Sequence, residues 1–338
     1  MSKRLLITGG CGFVGHHIIE HFIKNTDFEI ATIDKLSYSS NGFDRLRDID
    51  CFDNKRVKIF AFDLCNEISE GLEKELGQFD YIFHVAAESH VDRSISNPVP
   101  FIQNNVNSTL NILEFARKQK KLNRFISFST DETMGPAPEG VSHKEFSVHN
   151  PSNPYSASKS AQESFGIAYS NTYGIPVETT RTMNIIGERQ HPEKFVPMVI
   201  RKTVKEEIIP VHAYPDLQKA GSRHYLHARN VAAALFHIIN LPYKGYDEWH
   251  IAGLQEVDNL ELARKINYYV SEYYKEPKKF LYEMIDFHTQ RKGHDARYSL
   301  DSSKLLSSGF IYPISFEESL KRTIFWTLNP KNIRWLDI

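Results

Sequence analysis

The chain has 338 residues, of which 41% are hydrophobic and 25% are charged, the balance of an ordinary globular protein. Its 41 Lys and Arg residues offset 42 Asp and Glu residues, so the charge indicates no nucleic-acid partner. Three cysteines in no paired or metal-ligating spacing predict reduced thiols in a cytoplasm and no metal site. The longest apolar run, VAAALFHIINL, is too short to span a bilayer, so we expect no membrane association.

Strand and helix patterns alternate through the first half of the chain. Short runs of branched and aromatic residues predict buried strands; they are RLLIT, EIATID, VKIFAFD, YIFHVA, RFISFST and VETTRT. Between the first two runs, Val14, Ile18 and Phe22 recur every four positions, as on the buried face of a helix. The alternation predicts an α/β fold with a Rossmann-type, doubly wound parallel sheet.

The pattern changes after about Gly187, where several prolines interrupt a polar stretch. VAAALFHIINLP then predicts a helix and EWHIAG a strand, followed by two amphipathic helices, LELARKINYYVSEYY and SFEESLKRTIFWTL. We expect a larger Rossmann domain over residues 1–182, to which the chain returns at about 225–253. The rest of 183–338 is expected to form a smaller C-terminal α/β domain that binds the substrate.

A glycine-rich loop follows the first predicted strand. TGGCGFVGHH places Gly9, Gly12 and Gly15 before the helix that begins near Phe13. Glycines at this spacing permit a tight turn and let backbone N–H groups approach a pyrophosphate at the helix N-terminus. The loop therefore predicts that the larger domain binds a dinucleotide.

Carboxylates end the second and third predicted strands. Asp34 is placed to bind the adenosine ribose hydroxyls and to disfavour a 2′-phosphate, which favours NAD over NADP. Lys35 beside it weakens that preference. Asp63 is a candidate for the adenine and equally for capping its own loop.

Tyr155 and Lys159 lie four residues apart in a predicted helix that Asn153 caps and Pro154 begins. This spacing places both side chains on one face of the helix. A tyrosine with an ordinary pKa of about 10 is a weak base, whereas a nearby ammonium and the nicotinamide charge stabilise its phenolate. Downstream of a dinucleotide loop, the pair predicts proton abstraction from a sugar hydroxyl while the carbon is oxidised.

These motifs resemble those of the extended short-chain dehydrogenase/reductases. More narrowly, five blocks are similar to the dTDP-glucose 4,6-dehydratases: AAESHVDRSI (86–95), STDE (129–132), NPYSASK (153–159), HPEKFVP (191–197) and GHDARY (293–298). The resemblance covers about residues 4–325. It implies an NAD-dependent lyase that converts a dTDP- or UDP-hexose, with dTDP-glucose as first choice, to the 4-keto-6-deoxy sugar. It also implies tightly bound NAD that is regenerated each turnover, and a homodimer formed through the helix after Asn105 and the helix bearing Tyr155.

The resemblance assigns the acidic pair that follows the fifth predicted strand. Oxidation at C4 of a hexose acidifies the proton on C5, which Glu132 would remove as general base. Asp131, as general acid, would protonate the departing C6 hydroxyl. Thr130 would hydrogen-bond the C4 hydroxyl beside Tyr155, and Asn105 would serve the architecture.

Pattern and resemblance together give the full set of expected binding residues. For the cofactor they are Gly9, Gly12, Phe13, Val14, Gly15, Asp34, Lys35, Asp63, Leu64, Ala86, Ala87, Ser89, Tyr155 and Lys159. For the nucleotide sugar they are Ser89, Arg93, Thr130, Asn184, Glu193, Lys194, Arg223, His294, Arg297 and Tyr298.

Three departures from the family pattern predict an altered pocket around the sugar and the base. They are Thr133-Met134-Gly135, Asn184-Ile185-Ile186 and Arg223-His224-Tyr225. Two other functions share part of the constellation. A nucleotide-sugar 4-epimerase or decarboxylase needs Tyr155 and Lys159 but not the acidic pair, and a regulatory NAD-binding protein needs none of the catalytic groups.

Overall fold

The computed structural model describes residues 2–286 and 297–336. Within these ranges, seven parallel strands form a central sheet in the order β3-β2-β1-β4-β5-β6-β11. They are β1 (Arg4–Thr8), β2 (Glu29–Asp34), β3 (Val57–Ala61), β4 (Tyr81–His84), β5 (Arg124–Thr130), β6 (Val177–Thr182) and β11 (Asp247–Ile251). All predicted strands are confirmed. The order reverses between β1 and β4, which is where doubly wound sheets bind ligands.

Helices cover both faces of this sheet and, in the second half of the chain, also pack against the short strand pairs described below. They are α1 (Phe13–Asn25), α2 (Asp44–Asp48), α3 (Glu70–Leu76), α4 (Val91–Ser96), α5 (Val99–Ile102), α6 (Ser108–Arg117), α7 (Pro154–Tyr173), α8 (Phe195–Val204), α9 (Ala228–Asn240) and α10 (Asn259–Tyr274), followed by Ser303–Ser307 and Phe316–Leu328. A π-helical turn, Gln103–Asn107, joins α5 to α6. The sequence pattern predicted a helix in this region but not the wider turn.

The buried strands divide their side chains between two cores. Leu5 and Ile7 of β1 belong to the hydrophobic cluster that also contains Ile18 of α1 and Leu235 of α9, whereas Leu6 belongs to the cluster on the opposite face. This alternation is what a strand covered on both faces requires. Residues of the returning segment, among them Trp249, pack into the first cluster. The sheet is thereby fixed by burial on both sides.

The second half of the chain contributes three short strand pairs. β7 (Ile185–Ile186) pairs with β10 (Leu226–His227), β8 (Ile209–Ala213) with β13 (Tyr282–Asp286), and β9 (Ser222–His224) with β12 (Glu256–Asp258). A separate hydrophobic cluster joins them to α8, α10 and the helix Phe316–Leu328; its members include Val199, Ile209, Leu262 and Leu320. Leu300 and Phe310 instead pack into the first cluster. Among the helices of the two described ranges, none has the length and hydropathy of a membrane-spanning helix.

Candidate active site

A cavity of about 340 Å³ opens at the carboxyl ends of the strands, where their order reverses. Every residue that the sequence assigned to the cofactor lines this cavity; they are Gly9, Gly12, Phe13, Val14, Gly15, Asp34, Lys35, Asp63, Leu64, Ala86, Ala87, Ser89, Tyr155 and Lys159. Thr130, Asp131 and Glu132 line it as well. The fold therefore brings the dinucleotide loop and the expected acid–base groups to one site.

The glycine loop leaves no room for side chains. Gly9 adopts a φ of +73°, and a Cβ on it would lie 2.9 Å from Ala86 Cα. A Cβ on Gly15 would lie 2.2 Å from the Gly9 carbonyl oxygen and 2.7 Å from Gly10 Cα. The close approach of loop, helix α1 and the end of β4 is what a diphosphate-binding turn requires.

We expect Gly15→Ala to lower the affinity for NAD by roughly two orders of magnitude, because the clashing atoms belong to the backbone of the loop itself. Gly71→Ala is the matched control, since its Cβ would meet nothing closer than Ser69 Oγ at 3.9 Å in α3. That variant should keep full affinity. Calorimetric titration with NAD measures both, and tight binding by Gly15→Ala would contradict the assignment of the loop.

Asp34 ties the glycine loop to the segment after β2. Its carboxylate accepts hydrogen bonds from the backbone N–H groups of Cys11 (2.9 Å) and Leu36 (2.8 Å), and burial raises its pKa. Lys35 Nζ contacts Glu88 Oε1 and Asn104 Oδ1, each at 2.8 Å. The lysine charge is thus compensated within the protein, which agrees with the predicted preference for NAD.

Asp63 caps its own loop and stays a candidate for the adenine. Its Oδ1 accepts a hydrogen bond from the Cys65 N–H at 2.9 Å, which caps the loop after β3, and the residue also lines the cavity. Asn105 serves the architecture as expected: its side chain bonds both the N–H and the carbonyl of Glu88 and donates to Ser158 Oγ at 2.9 Å. It thereby holds the loop after β4 against α7.

Helix α7 begins with the predicted cap. The Asn153 side chain accepts from the Ser156 N–H at 2.9 Å, and Ser156 Oγ in turn accepts from the Asn153 N–H, which completes a capping box. The amide of Asn153 also donates to Glu132 Oε2 at 3.1 Å. The residue that starts the helix of Tyr155 therefore orients the expected base as well, a second role that sequence reasoning missed.

Tyr155 is buried beside the acidic pair. Burial raises the pKa of its phenol well above the usual value, Glu132 and Asp131 raise it further, and a hydrogen bond with Thr130 opposes them. Lys159 Nζ donates to the Phe128 carbonyl and to Gln162 Oε1, both at 2.6 Å, and burial lowers the pKa of Lys159 to about 7. The sequence predicted that the lysine would lower the pKa of Tyr155. Burial and the two carboxylates raise that pKa instead.

Asp131 and Glu132 form the short 3-10 turn that follows β5. The Thr130 hydroxyl donates to Asp131 Oδ1 at 2.9 Å, while the buried Oδ2 has no hydrogen-bond partner in residues 2–286 and 297–336. Burial raises the pKa of Asp131 to about 6, and burial followed by the charge of Asp131 raises that of Glu132 to about 7. The pair therefore shares one proton near neutral pH.

The substrate residues predicted from the sequence separate into two groups. Ser89, Thr130, Asn184, Glu193 and Lys194 line the cavity. Arg93, Arg223, Arg297 and Tyr298 are not among the lining residues of the part that the structure describes. His294 lies outside the described residues.

Arg297 is held away from the cavity by other partners. It forms an ion pair with Glu256 at 2.7 Å and donates to the carbonyls of Pro138 and Val141. Its guanidinium therefore joins the loop after the acidic pair to β12 rather than facing a ligand. Arg223 is buried with its guanidinium 4.6 Å from the Tyr298 ring, close enough to lower the pKa values of Asp131 and Glu132 by its charge.

Glu193 is the centre of a group at the rim of the cavity. Arg93 Nη2 lies 3.3 Å from its carboxylate, and His90 Nε2 and His191 Nδ1 each lie 3.4 Å from it. The Arg93 guanidinium also stacks 3.9 Å above the Tyr38 ring. Sequence reasoning missed Tyr38 and His191; the one available indication was that Tyr38 follows the carboxyl end of β2.

Only one of the three sequence departures reaches the cavity. Asn184 and Ile185 line it, whereas Met134 is buried in the first hydrophobic cluster. The expectation that Met134 alters the surroundings of the sugar is thereby corrected: its side chain packs into the core. His224 and Tyr225 are likewise used internally, through hydrogen bonds to the Gly253 carbonyl and to Asn259 Oδ1.

Comparison with known proteins agrees with this geometry. The family described as GDP-mannose 4,6 dehydratase matches residues 6–323. The chain belongs to that family. Among relatives within it, the dTDP-glucose 4,6-dehydratase of Salmonella typhimurium is 35% identical over 99% of this chain and 94% of its own length.

Solved structures show how the family fold extends over the whole chain. The dTDP-glucose 4,6-dehydratase DesIV of Streptomyces venezuelae, solved with NAD bound, superimposes with a TM-score of 0.84 at 30% identity, covering 98% of each chain. A UDP-glucuronic acid 4-epimerase of Bacillus cereus shares the fold at a TM-score of 0.83 but only 19% identity, with 98% of this chain and 99% of that one covered. Overall shape therefore does not separate the reactions, and the side chains of the site must.

Proposed function

We propose that the protein is a nucleotide-sugar 4,6-dehydratase that uses NAD and acts on dTDP-glucose. The observation that carries this function is the acidic pair, of which Asp131 is buried and Glu132 is half-buried. Both line the same cavity as Tyr155, Thr130 and the dinucleotide loop. The names of the family and of the 35% identical relative support it. Dehydration requires both an acid and a base next to the oxidised carbon, and this pair supplies them.

The residues present fit NAD. The close packing of the loop tolerates no Cβ at Gly9 or Gly15, as a diphosphate-binding turn requires, and Asp34 lines the cavity at the carboxyl end of β2, where this kind of fold binds ribose hydroxyls. When bound, the cofactor accepts the two electrons from C4 of the sugar and returns them to C6 within the same turnover. Its nicotinamide charge adds the positive charge that the buried Tyr155 phenolate needs.

Tyr155 and Thr130 act on the C4 hydroxyl of the sugar. Their hydrogen bond to each other places both oxygens at one point of the cavity. Tyr155 takes the hydroxyl proton as C4 is oxidised, and Thr130 orients that oxygen. Lys159, held by Phe128 and Gln162, contributes its charge from behind the tyrosine.

Glu132 and Asp131 then eliminate water from the 4-keto sugar. Glu132, oriented by Asn153, removes the acidified C5 proton, and Asp131 gives its proton to the departing C6 hydroxyl. Each carboxyl receives one side-chain donor, Glu132 from Asn153 and Asp131 from Thr130, so this division of roles rests on the family resemblance. Reduction at C6 and protonation at C5 complete the 4-keto-6-deoxy product.

We expect a bell-shaped dependence of the elimination rate on pH. The active form carries its one proton on Asp131, whereas pKa values of about 6 for Asp131 and about 7 for Glu132 put a single proton mainly on Glu132, so the productive form is the minor of the two singly protonated forms and is most populated between those values. Below this range Glu132 is protonated and cannot act as base; above it Asp131 has lost its proton and cannot act as acid. The rate should fall roughly tenfold per pH unit on either side. A rate that is independent of pH from about 5 to about 9 would contradict the shared-proton pair.

Two other functions make different demands on the site. A 4-epimerase or decarboxylase uses Tyr155 and Lys159 but has no use for a buried acid–base pair. A regulatory NAD-binding protein has no use for Tyr155 either, and the placement of all four groups in one cavity favours catalysis.

Incubation with dTDP-glucose and with UDP-glucose in deuterated water, followed by NMR of the products, separates these functions. The dehydratase gives a 4-keto-6-deoxy sugar with deuterium at C5. A galactose-configured product would establish the epimerase, and the absence of turnover of any hexose nucleotide would favour the regulatory protein.

We further propose a cytoplasmic homodimer with a two-domain subunit. The separate hydrophobic cluster of the second half supports a substrate domain within 183–338, and the free cysteines suit a reducing compartment. Val99 and Ile102 expose 55% and 49% of their surface on α5, which packs against α7. The expected dimer forms through α6 and α7, and α5, which precedes α6 and packs against α7, would be covered at its edge; sedimentation of Ile102→Lys as a monomer would support that interface.

A further inference from the structure

Three buried side chains connect the dinucleotide loop to the far wall of the cavity. They are His16 of α1, Arg45 of α2 and Arg189 of the segment after β7, and none exposes more than 4% of its surface. We call these three residues the buried relay. Only Arg45 lines the cavity, and none of them figures in the acid–base chemistry.

Arg45 donates hydrogen bonds to three of the segments that line the cavity. Its Nη1 donates to the carbonyls of Cys11 in the glycine loop (3.2 Å) and of Ser39 and Ser40 after β2 (both 2.7 Å). Its Nε donates to the Arg189 carbonyl at 3.0 Å. A single guanidinium thus fixes both sides of the site relative to each other.

Arg189 is connected to the glycine loop through His16. Its Nε donates to His16 Nε2 at 2.9 Å, which leaves the imidazole proton on Nδ1 to donate to the Gly12 carbonyl at 3.0 Å. Arg189 holds a φ of +66° and packs its guanidinium 4.7 Å from the Trp326 ring of the second half. The same segment continues directly into His191, Glu193 and Lys194, which line the cavity.

Among the described residues, neither buried arginine has a carboxylate in ion-pair contact, although the charge of Asp34 raises the pKa of Arg45 and that of Glu188 raises the pKa of Arg189. Burial, followed by the charge of Arg189, lowers the pKa of Arg45 only to about 10, so Arg45 stays protonated at neutral pH; burial also lowers the pKa of Arg189. Buried cations without a partner cost free energy. An anion bound at the glycine loop would add negative charge close to both, because Arg45 contacts that loop directly at Cys11 and Arg189 reaches it through His16.

We propose that the buried relay couples the binding of the cofactor diphosphate to the binding of the nucleotide on the 184–194 wall. This inference rests on the proposed function for the identity of the two ligands. A diphosphate at the loop stabilises Arg45 and Arg189 and so fixes residue 189 and the wall that follows it. By thermodynamic linkage, the nucleotide raises the affinity for the cofactor by the same factor by which the cofactor raises the affinity for the nucleotide.

The test is the affinity of the full-length protein for NAD, titrated calorimetrically with and without saturating dTDP. In the natural protein we expect dTDP to raise the affinity for NAD roughly tenfold. In Arg189→Met the increase should be less than about twofold; methionine is chosen because its side chain can still pack on Trp326. Arg47→Met is the control, because Arg47 lies on α2 two residues after Arg45 but has an exposed side chain, so its loss should leave the factor unchanged.

If Arg189→Met does not fold, His16→Phe tests the same connection, since an aromatic ring at this position keeps the packing against His17 and loses both hydrogen bonds. The proposed coupling would be refuted if dTDP still raised the affinity for NAD roughly tenfold in the folded variant. It would also be refuted if dTDP did not change the affinity for NAD in the natural protein. If dTDP raises the affinity for NAD but no sugar nucleotide is converted, the coupling is supported and the proposed function is refuted. If the sugar is converted but dTDP does not change the affinity for NAD, the function is supported and the coupling is refuted.

Discussion

Glu132→Gln should lower the rate of product formation by roughly three orders of magnitude while leaving oxidation of the sugar possible. A glutamine keeps the shape of the side chain and can still contact Asn153, but it cannot accept the C5 proton. Bound cofactor should therefore become partly reduced on mixing with dTDP-glucose, because C4 oxidation needs only Tyr155 and its neighbours. Near-ultraviolet absorbance of the reduced nicotinamide and NMR of the product measure the two steps separately.

Glu178→Gln is the matched control. Burial also raises the pKa of Glu178 to about 7, but this residue lies on β6 beside Arg124 and is not among the lining residues of the cavity. It should change the rate by no more than about twofold. Product formation by Glu132→Gln within tenfold of the natural rate would refute its role as the base.

Tyr155→Phe should abolish both steps, with a loss of at least about 10³-fold in product formation and no reduced cofactor. Without the phenol, nothing takes the proton from the C4 hydroxyl, so the ketone that acidifies C5 never forms. Exchange of the C5 proton with deuterated water should stop as well. This distinguishes the variant from Glu132→Gln, in which reduced cofactor appears.

Tyr169→Phe serves as the control on the same helix. Its hydroxyl donates to Glu114 Oε1 at 2.8 Å, at the far end of α7 from the cavity. Its activity and NAD affinity should remain within about twofold of the natural protein. Accumulation of reduced cofactor in Tyr155→Phe would show that another group accepts the C4 proton.

Local patterns were sufficient for the elements that carry the chemistry. The strand runs, the glycine loop and the Asn153 cap each depend on residues a few positions apart, so their spacing in the sequence is also their spacing in space. The acidic pair adjoins Thr130 at the end of β5, and Tyr155 and Lys159 share one turn of α7. Parallel strands then bring these motifs to one edge of the sheet, whatever the intervening residues.

Long-range pairing decided which cationic and aromatic side chains serve the site. Arg223 and Arg297 belong to motifs that predicted ligand contact, yet Arg297 is bound by Glu256 and by carbonyls more than one hundred positions away. Met134, which looked like a change in the pocket, belongs to the core. No spacing along the chain reveals these partners, because each depends on how the two halves pack.

By itself the sequence determined the family, the parallel sheet and the cofactor loop and supplied the proposed catalytic side chains, because all of these follow from contiguous motifs and strand periodicity. Only the tertiary structure showed that the pKa values of Asp131 and Glu132 are both raised and that Asn153 also contacts Glu132. It alone also showed the hydrogen bonds of the buried relay of His16, Arg45 and Arg189. The physical reason is burial. The pKa of a carboxyl and the partners of a guanidinium depend on which distant segments exclude water from them, and only the folded chain brings those segments together.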